Sequence, residues 1–523
     1  MNVLLAAIAV CVSCVCFGVS AQPGDDTHGI TLERIMADPE WIGLFPERSY
    51  WSDDGKSVLF FRDAPGSLGE DFVSIDLSTG EETLLGMQER AELARAGWVY
   101  SADRSARVCS RGGDLFYEGL SDAESVQLTR TVSRESSPRF LSGGKRIGYE
   151  SGGDWFVLDL VSGSVSQVAD VRFEDEPKDE EEEDGDDYLD RQQERLFTTI
   201  TKRQERDRHR RDVSRQVTLA NTLDVPGPFY LGKKYQRRRH ALSDDGRFLA
   251  VVISEPWENA ERDEMPAYVT EDGYVDTSSV RHKVGVRESP AEMLHLIDTH
   301  KDSSVRIDLS GLPGITDDPL AFLRVEEAND ADEADEATEP EPRPVSIGNL
   351  SFRPGSGSLV FRVSSHDHKD RWIVSVDLGD DEPVAESLFR ESTEGWINWR
   401  TNRMGWTPGG ERFWFLSESS GFSHIHAYEG GSVRQVTSGS FEFWDVVQTP
   451  EPAVLLALTN MTDPAVYEVA QIDLSSDAAE LVTGFGNRVE RFELSPAGDR
   501  LLMEVSTNDS DGELFVQELA PGA

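Results

Sequence analysis

The stretch Leu242-Ser243-Asp244-Asp245-Gly246-Arg247-Phe248-Leu249-Ala250-Val251-Val252-Ile253 decides the fold. Asp tolerates a left-handed backbone and Gly adopts one without strain, so Ser-Asp-Asp-Gly reads as a tight turn between antiparallel strands. The six apolar residues that follow are mostly β-branched or aromatic, the composition of a strand.

Working outward, the same phrase recurs. The turns are Trp51-Ser52-Asp53-Asp54-Gly55-Lys56, Ser101-Ala102-Asp103-Arg104, Leu141-Ser142-Gly143-Gly144-Lys145, the Leu242–Arg247 turn itself, Phe352-Arg353-Pro354-Gly355, Trp406-Thr407-Pro408-Gly409-Gly410, Gln448-Thr449-Pro450-Glu451 and Leu494-Ser495-Pro496-Ala497-Gly498. Between them lie short strands such as Val58–Phe61, Leu359–Val363 and Phe413–Leu416, with partners such as Phe72–Leu77 and Trp372–Leu378. Spacings of roughly 40 to 55 residues match one four-stranded blade, and radial repetition of blades keeps a long β chain from exposing long edges. The expectation is an all-β fold, a β-propeller of eight four-stranded blades. The spacings from Ser142 to Asp244 and from Asp244 to Pro354 are near twofold longer, so each holds a blade plus an insertion.

The first insertion is expected over 172–217. Eleven of the fourteen residues from Glu174 to Asp187 are acidic, and a charged helix rich in Arg follows from Tyr188 to Val217. Its arginines (Arg191, Arg195, Arg203, Arg206, Arg208, Arg210, Arg211) read as a solvated face, because the acidic run beside them competes with any outside anion. The second insertion, 326–344, is a polar, acidic linker loop ending in Pro.

The 523 residues carry 51 Lys and Arg against 97 Asp and Glu, a net charge of -46, with mean hydropathy -0.44. Such a surface repels nucleic acid and anionic membranes, so neither is expected as a partner. The first 21 residues hold no charged side chain and contain the apolar run Val3 to Val19, followed by Ser20-Ala21, which reads as a secretory signal peptide over 1–21. A short uncleaved anchor is the alternative, because the segment lacks a leading Lys or Arg. Export to the periplasm or the extracellular space follows from the first reading. Cys11, Cys14 and Cys16 lie inside this segment, so only Cys109 remains in the mature chain, which leaves no internal disulfide and reads as a small buried hydrophobe. The segment 22–48 precedes the first blade with a short helix, and the propeller runs over 49–523.

Several segments resemble the N-terminal propeller of the prolyl oligopeptidase family of serine peptidases, dipeptidyl peptidase IV branch. They begin with Leu32-Glu33-Arg34-Ile35-Met36-Ala37-Asp38-Pro39-Glu40-Trp41-Ile42-Gly43, Tyr50–Lys56 and Pro228-Phe229-Tyr230-Leu231-Gly232. The most specific are Asp370-Arg371-Trp372, Trp396-Ile397-Asn398-Trp399, Leu416-Ser417-Glu418-Ser419-Ser420-Gly421-Phe422-Ser423-His424-Ile425 and Arg434-Gln435-Val436-Thr437-Ser438-Gly439. The resemblance runs from about residue 30 to the end. It implies that an α/β-hydrolase domain supplies the nucleophile while the propeller narrows access to it and helps bind the amino end of a peptide. Leu514-Phe515-Val516 looks like a last propeller strand, so the hydrolase is expected to be truncated or encoded separately. No Gly-x-Ser-x-Gly elbow, the strained turn that lifts a serine toward its base, occurs in the sequence. No catalytic residue is therefore assigned.

The branch also carries a glutamate pair that binds the substrate ammonium, placed before a Ser-Pro-Asp-Gly turn. The corresponding stretch here reads Lys233-Lys234-Tyr235-Gln236-Arg237-Arg238-Arg239-His240, so dipeptide specificity does not carry over and the substrate-binding residues stay unassigned. Glu81-Glu82 and Glu326-Glu327 stand in other contexts and read as solvated. His366-Asp367-His368 and His424-Ile425-His426 each place two imidazoles on one strand face. Two ligands fall short of the three or four a metal takes, so both pairs read as structural or surface histidines and no metal or cofactor is expected. Trp372, Trp396, Trp399, Trp406, Trp414 and Trp444 read mostly as blade core. Two functions remain: the substrate-gating, non-catalytic propeller of an exported serine peptidase, or a stand-alone exported propeller that binds a protein or peptide.

Overall fold

The computed structural model describes residues 31, 32, 36, 44–64, 69–93, 97–121, 125–177, 202, 203, 205, 206, 209, 210, 213, 217, 225–257, 261–283, 289–323, 341–355, 357–380, 382–507, 510 and 512–520. The signal peptide read at 1–21, most of the 22–43 segment, the acidic run beyond residue 177 and the loop 326–340 lie outside them. The chain forms two compact units, 1–98 with 398–523, and 99–397.

Unit 99–397 holds four antiparallel four-stranded sheets. Sheet A comprises Val99–Tyr100, Ala106–Arg111, Asp114–Gly119 and Ser125–Gln127; sheet B comprises Glu135–Phe140, Arg146–Ser151, Asp154–Asp159 and Val165–Gln167. Sheet C comprises Gln236–Leu242, Phe248–Ser254, Met293–Asp298 and Ser303–Ile307, and sheet D Val345–Phe352, Ser358–Ser365, Asp370–Asp377 and Ala385–Ser392. The other unit holds sheet E (Glu47–Trp51, Ser57–Asp63, Glu70–Asp76, Glu82–Leu85) and sheet F (Met404–Trp406, Phe413–Ser417, His424–Glu429, Ser432–Gln435). It also holds the seven-stranded sheet G, in which the meander Phe443–Gln448, Val454–Asp463, Val466–Asp473 and Ala478–Leu481 joins Arg488–Leu494, Arg500–Ser506 and Glu513–Glu518 through one parallel pair, Tyr467 with Arg488. The fold is all-β and propeller-like, and within each unit the meanders stack face to face.

The turns work as their residues suggest. Ser243 Oγ accepts the Phe248 amide at 2.8 Å, Asp245 accepts the Arg247 amide, and Gly246 closes the turn at φ 77°. Ser52, Ser101 and Ser495 repeat the arrangement, each accepting an amide five residues on. Stacking explains the unbroken apolar run Phe248–Ile253, since a strand covered on both faces does not alternate. Leu249, Val251 and Ile253 pack with Leu141 and Trp155 of sheet B and its border, while Phe248, Ala250 and Val252 pack with Leu359, Phe361 and Trp372 of sheet D. In the unit with both chain ends, sheet E meets the last meander of sheet G: Trp51 Nε1 donates to the Glu493 carbonyl at 3.1 Å and Arg500 Nη2 to the Gly55 carbonyl at 2.7 Å.

Sheet C contains an addition that sequence reading missed, a hairpin of Arg262–Ala267 and Asp276–His282 between its second and third strands. It accounts for part of the long spacing after Asp244. In the earlier insertion, Lys202, Arg203, Glu205, Arg206, His209, Arg210, Val213 and Val217 have helical backbone. Phe229–Tyr230 returns beside Val171–Arg172 as a short parallel pair, so the insertion leaves and re-enters at one place. Cys109 is buried in its strand. Among the described residues no helix is long and apolar enough to cross a membrane.

Candidate binding site on sheets C and D

The cationic stretch Lys233–His240 runs into the first strand of sheet C, where a bulge between Arg237 and Arg239 breaks the alternation. A bulge re-aims side chains, and here successive cations find different carboxylates. Lys233 pairs with Asp175 and Lys234 with Glu255, both at 2.9 Å, and Arg237 Nη1 lies 3.2 Å from Asp154. Arg239 Nη1 meets Glu292 Oε2 at 2.6 Å, with Arg238 Nε 3.6 Å from the other oxygen. His240 Nε2 lies 2.8 Å from Glu150 Oε2 across to sheet B, and that contact holds the Glu150 carboxyl below its usual range against the effect of burial. The stretch that replaces the expected glutamate pair is thus a strand of cations met by acids from neighbouring segments.

Glu292 ties this strand to sheet D. Its side chain is 7% exposed, and Oε2 also accepts the Ile347 amide at 2.6 Å. On sheet D, Gly348 pairs with Arg362 and Arg362 with Ile373, while Ser364 pairs with Arg371 and Arg371 with Glu391. Paired residues share a face and alternate residues return to it, so Arg362, Arg371 and Glu391 lie on one side of the sheet. Arg371 and Glu391 form an ion pair, each side chain 4% exposed. Burial pulls the Arg362 guanidinium down to about 10; Arg371 and Arg239 push it further that way, and Glu292 opposes them. The site can hold charge: guanidiniums donate in a planar fork and carboxylates accept.

A second charged knot beside it is structural. Asp370 accepts from Arg343 at 2.6 Å and from Arg390 at 2.7 Å, and Arg343 also donates to the Gly314 carbonyl at 2.8 Å. Trp372 Nε1 donates to the Pro313 carbonyl at 2.9 Å, so the segment before residue 323 is strapped to sheet D. Burial alone would raise the Asp367 carboxyl, but the Ser365 hydroxyl, the Lys369 amide and Arg343 hold it below its usual range.

The other flagged residues are scattered. His424 Nδ1 lies 3.1 Å from Thr437 Oγ1 and Nε2 3.1 Å from the Gly439 carbonyl, and His426 stacks on Phe415, so both serve packing. Glu82 pairs with Arg62 at 3.0 Å, Glu81 is exposed, and Glu326-Glu327 lie outside the described residues. Among the described residues no group of three or more His, Cys, Asp or Glu is placed to hold a metal. Trp372 and Trp414 are core, and Trp406 and Trp444 are half-buried. Trp396 and Trp399 depart from the core reading at 82% and 74% exposed, because they sit on the connection after sheet D and not on a strand. Sequence reading missed Glu292, Arg362, Arg371 and Glu391 as a group. One signal was available: Arg362 interrupts the apolar run Leu359–Val363 in a strand that should be covered on both faces.

Comparison with known proteins gives a family match over part of the chain and a likeness of fold over most of it. Residues 317–510 match the family "Dipeptidyl peptidase IV (DPP IV) N-terminal region". The chain is also similar to the crystal structure of Porphyromonas gingivalis dipeptidyl peptidase 4, with a TM-score of 0.52 and 14% identity over 94% of this chain and 60% of that one. A putative dipeptidyl aminopeptidase IV from Bacteroides ovatus aligns with a TM-score of 0.46 and 12% identity over 91% of this chain and 59% of that one. No curated protein matches the chain. At such identity the likeness to the Porphyromonas structure speaks for the fold alone, and the chain spans about three fifths of that structure's length. The family match covers residues 317–510, less than half of the chain, and the resemblance read from Asp370 to Gly439 falls inside it.

Proposed function

We propose that this chain is the substrate-gating, non-catalytic propeller of an exported dipeptidyl peptidase IV-like serine peptidase, with bond cleavage carried out by an α/β-hydrolase domain. The observation that carries the reading is the family match over 317–510, set in a chain whose fold aligns over 94% of its length with a dipeptidyl peptidase 4. The partners of this reading are a peptide substrate and a hydrolase domain, and the compartment is the periplasm or the extracellular space.

The test is a reconstitution. The purified chain, alone and mixed with a separately expressed hydrolase encoded beside it, is assayed on fluorogenic dipeptide substrates and run on a sizing column. The expected outcome is no cleavage by the chain alone, with co-elution and cleavage in the mixture. A mixture that neither associates nor cleaves sinks the proposal, as does a chain that reacts with a fluorophosphonate serine probe.

A further inference from the structure

The charged group on sheets C and D is unbalanced. Arg238, Arg239, Arg362 and Arg371 gather around Glu292 and Glu391; Arg239 and Arg238 share the Glu292 carboxylate, and Arg371 pairs with Glu391. Arg362 is left over. Its Nε and Nη1 are sealed from solvent with no hydrogen-bond partner, and among the described residues its Nη2 has no bond either, which makes Nη2 the nitrogen open to approach. Buried cations are ordinarily paired, since a desolvated guanidinium without a counter-charge is strongly disfavoured. The position opposite it on the neighbouring strand is Gly348, and a Cβ there would stand 2.9 Å from Nη2. The glycine leaves that end of the guanidinium clear.

We propose that Arg362 is a binding site for the carboxylate of a peptide, borne by an acidic side chain or a free C-terminus. Four guanidiniums against two carboxylates leave the group net positive, and a carboxylate at Arg362 offsets part of that charge. A guanidinium takes a carboxylate with directed, charge-assisted hydrogen bonds, as Arg239 and Arg371 already do in the same group. The anion docks at Nη2, with Arg239 and Arg371 adding long-range attraction. This deepens the peptidase reading by naming a substrate feature, and it is tested by binding, so the two fail separately: a chain that binds acidic peptides but supports no cleavage loses the reading above and keeps this one.

The probe is acetate, followed by saturation-transfer NMR on the full chain at constant ionic strength with chloride as the balancing anion. Acetate should bind the wild type, and Arg362→Gln should weaken it by about tenfold or more, the loss of a hydrogen bond to a charged group. Because Arg362→Gln alters a half-buried position, Gly348→Ala is the second variant: it keeps every charge, crowds Nη2, and should weaken acetate in the same direction. Two blocked tripeptides then distinguish the source. Displacement of acetate by an N-acetylated, amidated peptide with a central glutamate assigns the side chain, and displacement by an all-alanine peptide with a free carboxyl end assigns the C-terminus. Equal acetate binding by the wild type and both variants overturns the proposal. So does chloride competing as well as acetate, or a failure of both peptides to displace it.

Discussion

Sheets F and D are built on the same four-stranded meander, yet they bury different chemistry. Sheet F closes with neutral groups, His424 between the Thr437 hydroxyl and the Gly439 carbonyl, all within fifteen residues of chain. Sheet D buries whole charges, Arg371 with Glu391 twenty residues away, and shares with sheet C a network that reaches back to Arg239. A neutral polar contact between near neighbours is a local device of one blade. A charge network stitches two blades together, and one member left unmatched is where a ligand can enter.

The contrast can be broken or sharpened by mutation. The largest expected effect concerns the tryptophans of the same region. Trp372→Ala empties a fully buried site and should lower stability by about 3–5 kcal/mol in denaturant unfolding, whereas Trp396→Ala on the exposed connection should stay within about 0.5 kcal/mol. Comparable losses from both would mean that Trp396 is covered. Next comes the buried pair. Glu391→Gln leaves Arg371 without its counter-charge and should cost about 3 kcal/mol, while Arg371→Met combined with Glu391→Met should recover most of that loss. If the double variant is as unstable as the single one, the pair matters for more than mutual neutralisation.

The smallest effect is a pH dependence of the neutral site. Burial holds the His424 imidazole below its ordinary value, so it stays neutral in the folded chain at pH values where the unfolded chain takes up a proton. The stability from this site is complete above the unfolded value of about 6.5 and declines as pH falls below it. His295 in the other unit is shifted the same way, by burial and then by Arg306. Melting temperature measured from pH 7.5 to 5.5 should therefore fall, and His424→Gln should flatten the slope without removing the part due to His295. An unchanged slope in that variant would show that His424 titrates alike in folded and unfolded chains.

Much of the fold was legible because its signals are short-range. Ser243, Asp245 and Gly246 make a turn from six consecutive residues, and Phe248–Ile253 announces a doubly covered strand by its failure to alternate. The inserted hairpin Arg262–His282 was not legible: its strands, RDEMPA and DTSSVRH, are polar and exposed, and they lack the apolar pattern that marks a strand packed in a blade. The site was hidden for another reason. Lys233–His240 read as a basic run with no assignable role, and Arg362 as one charge in an apolar strand.

From the sequence alone came the all-β architecture, the turn chemistry, the family resemblance from Asp370 to Gly439 and the lack of a serine elbow. These depend on residues a few positions apart, whose backbone preferences act wherever the chain goes. Only the tertiary structure decided that Arg239, Glu292, Gly348, Arg362, Arg371 and Glu391 form one charged group with Arg362 unmatched. Strand register and the stacking of sheet on sheet bring residues 108 positions apart, Arg239 and Ile347, into contact, and that distance leaves no trace in local sequence.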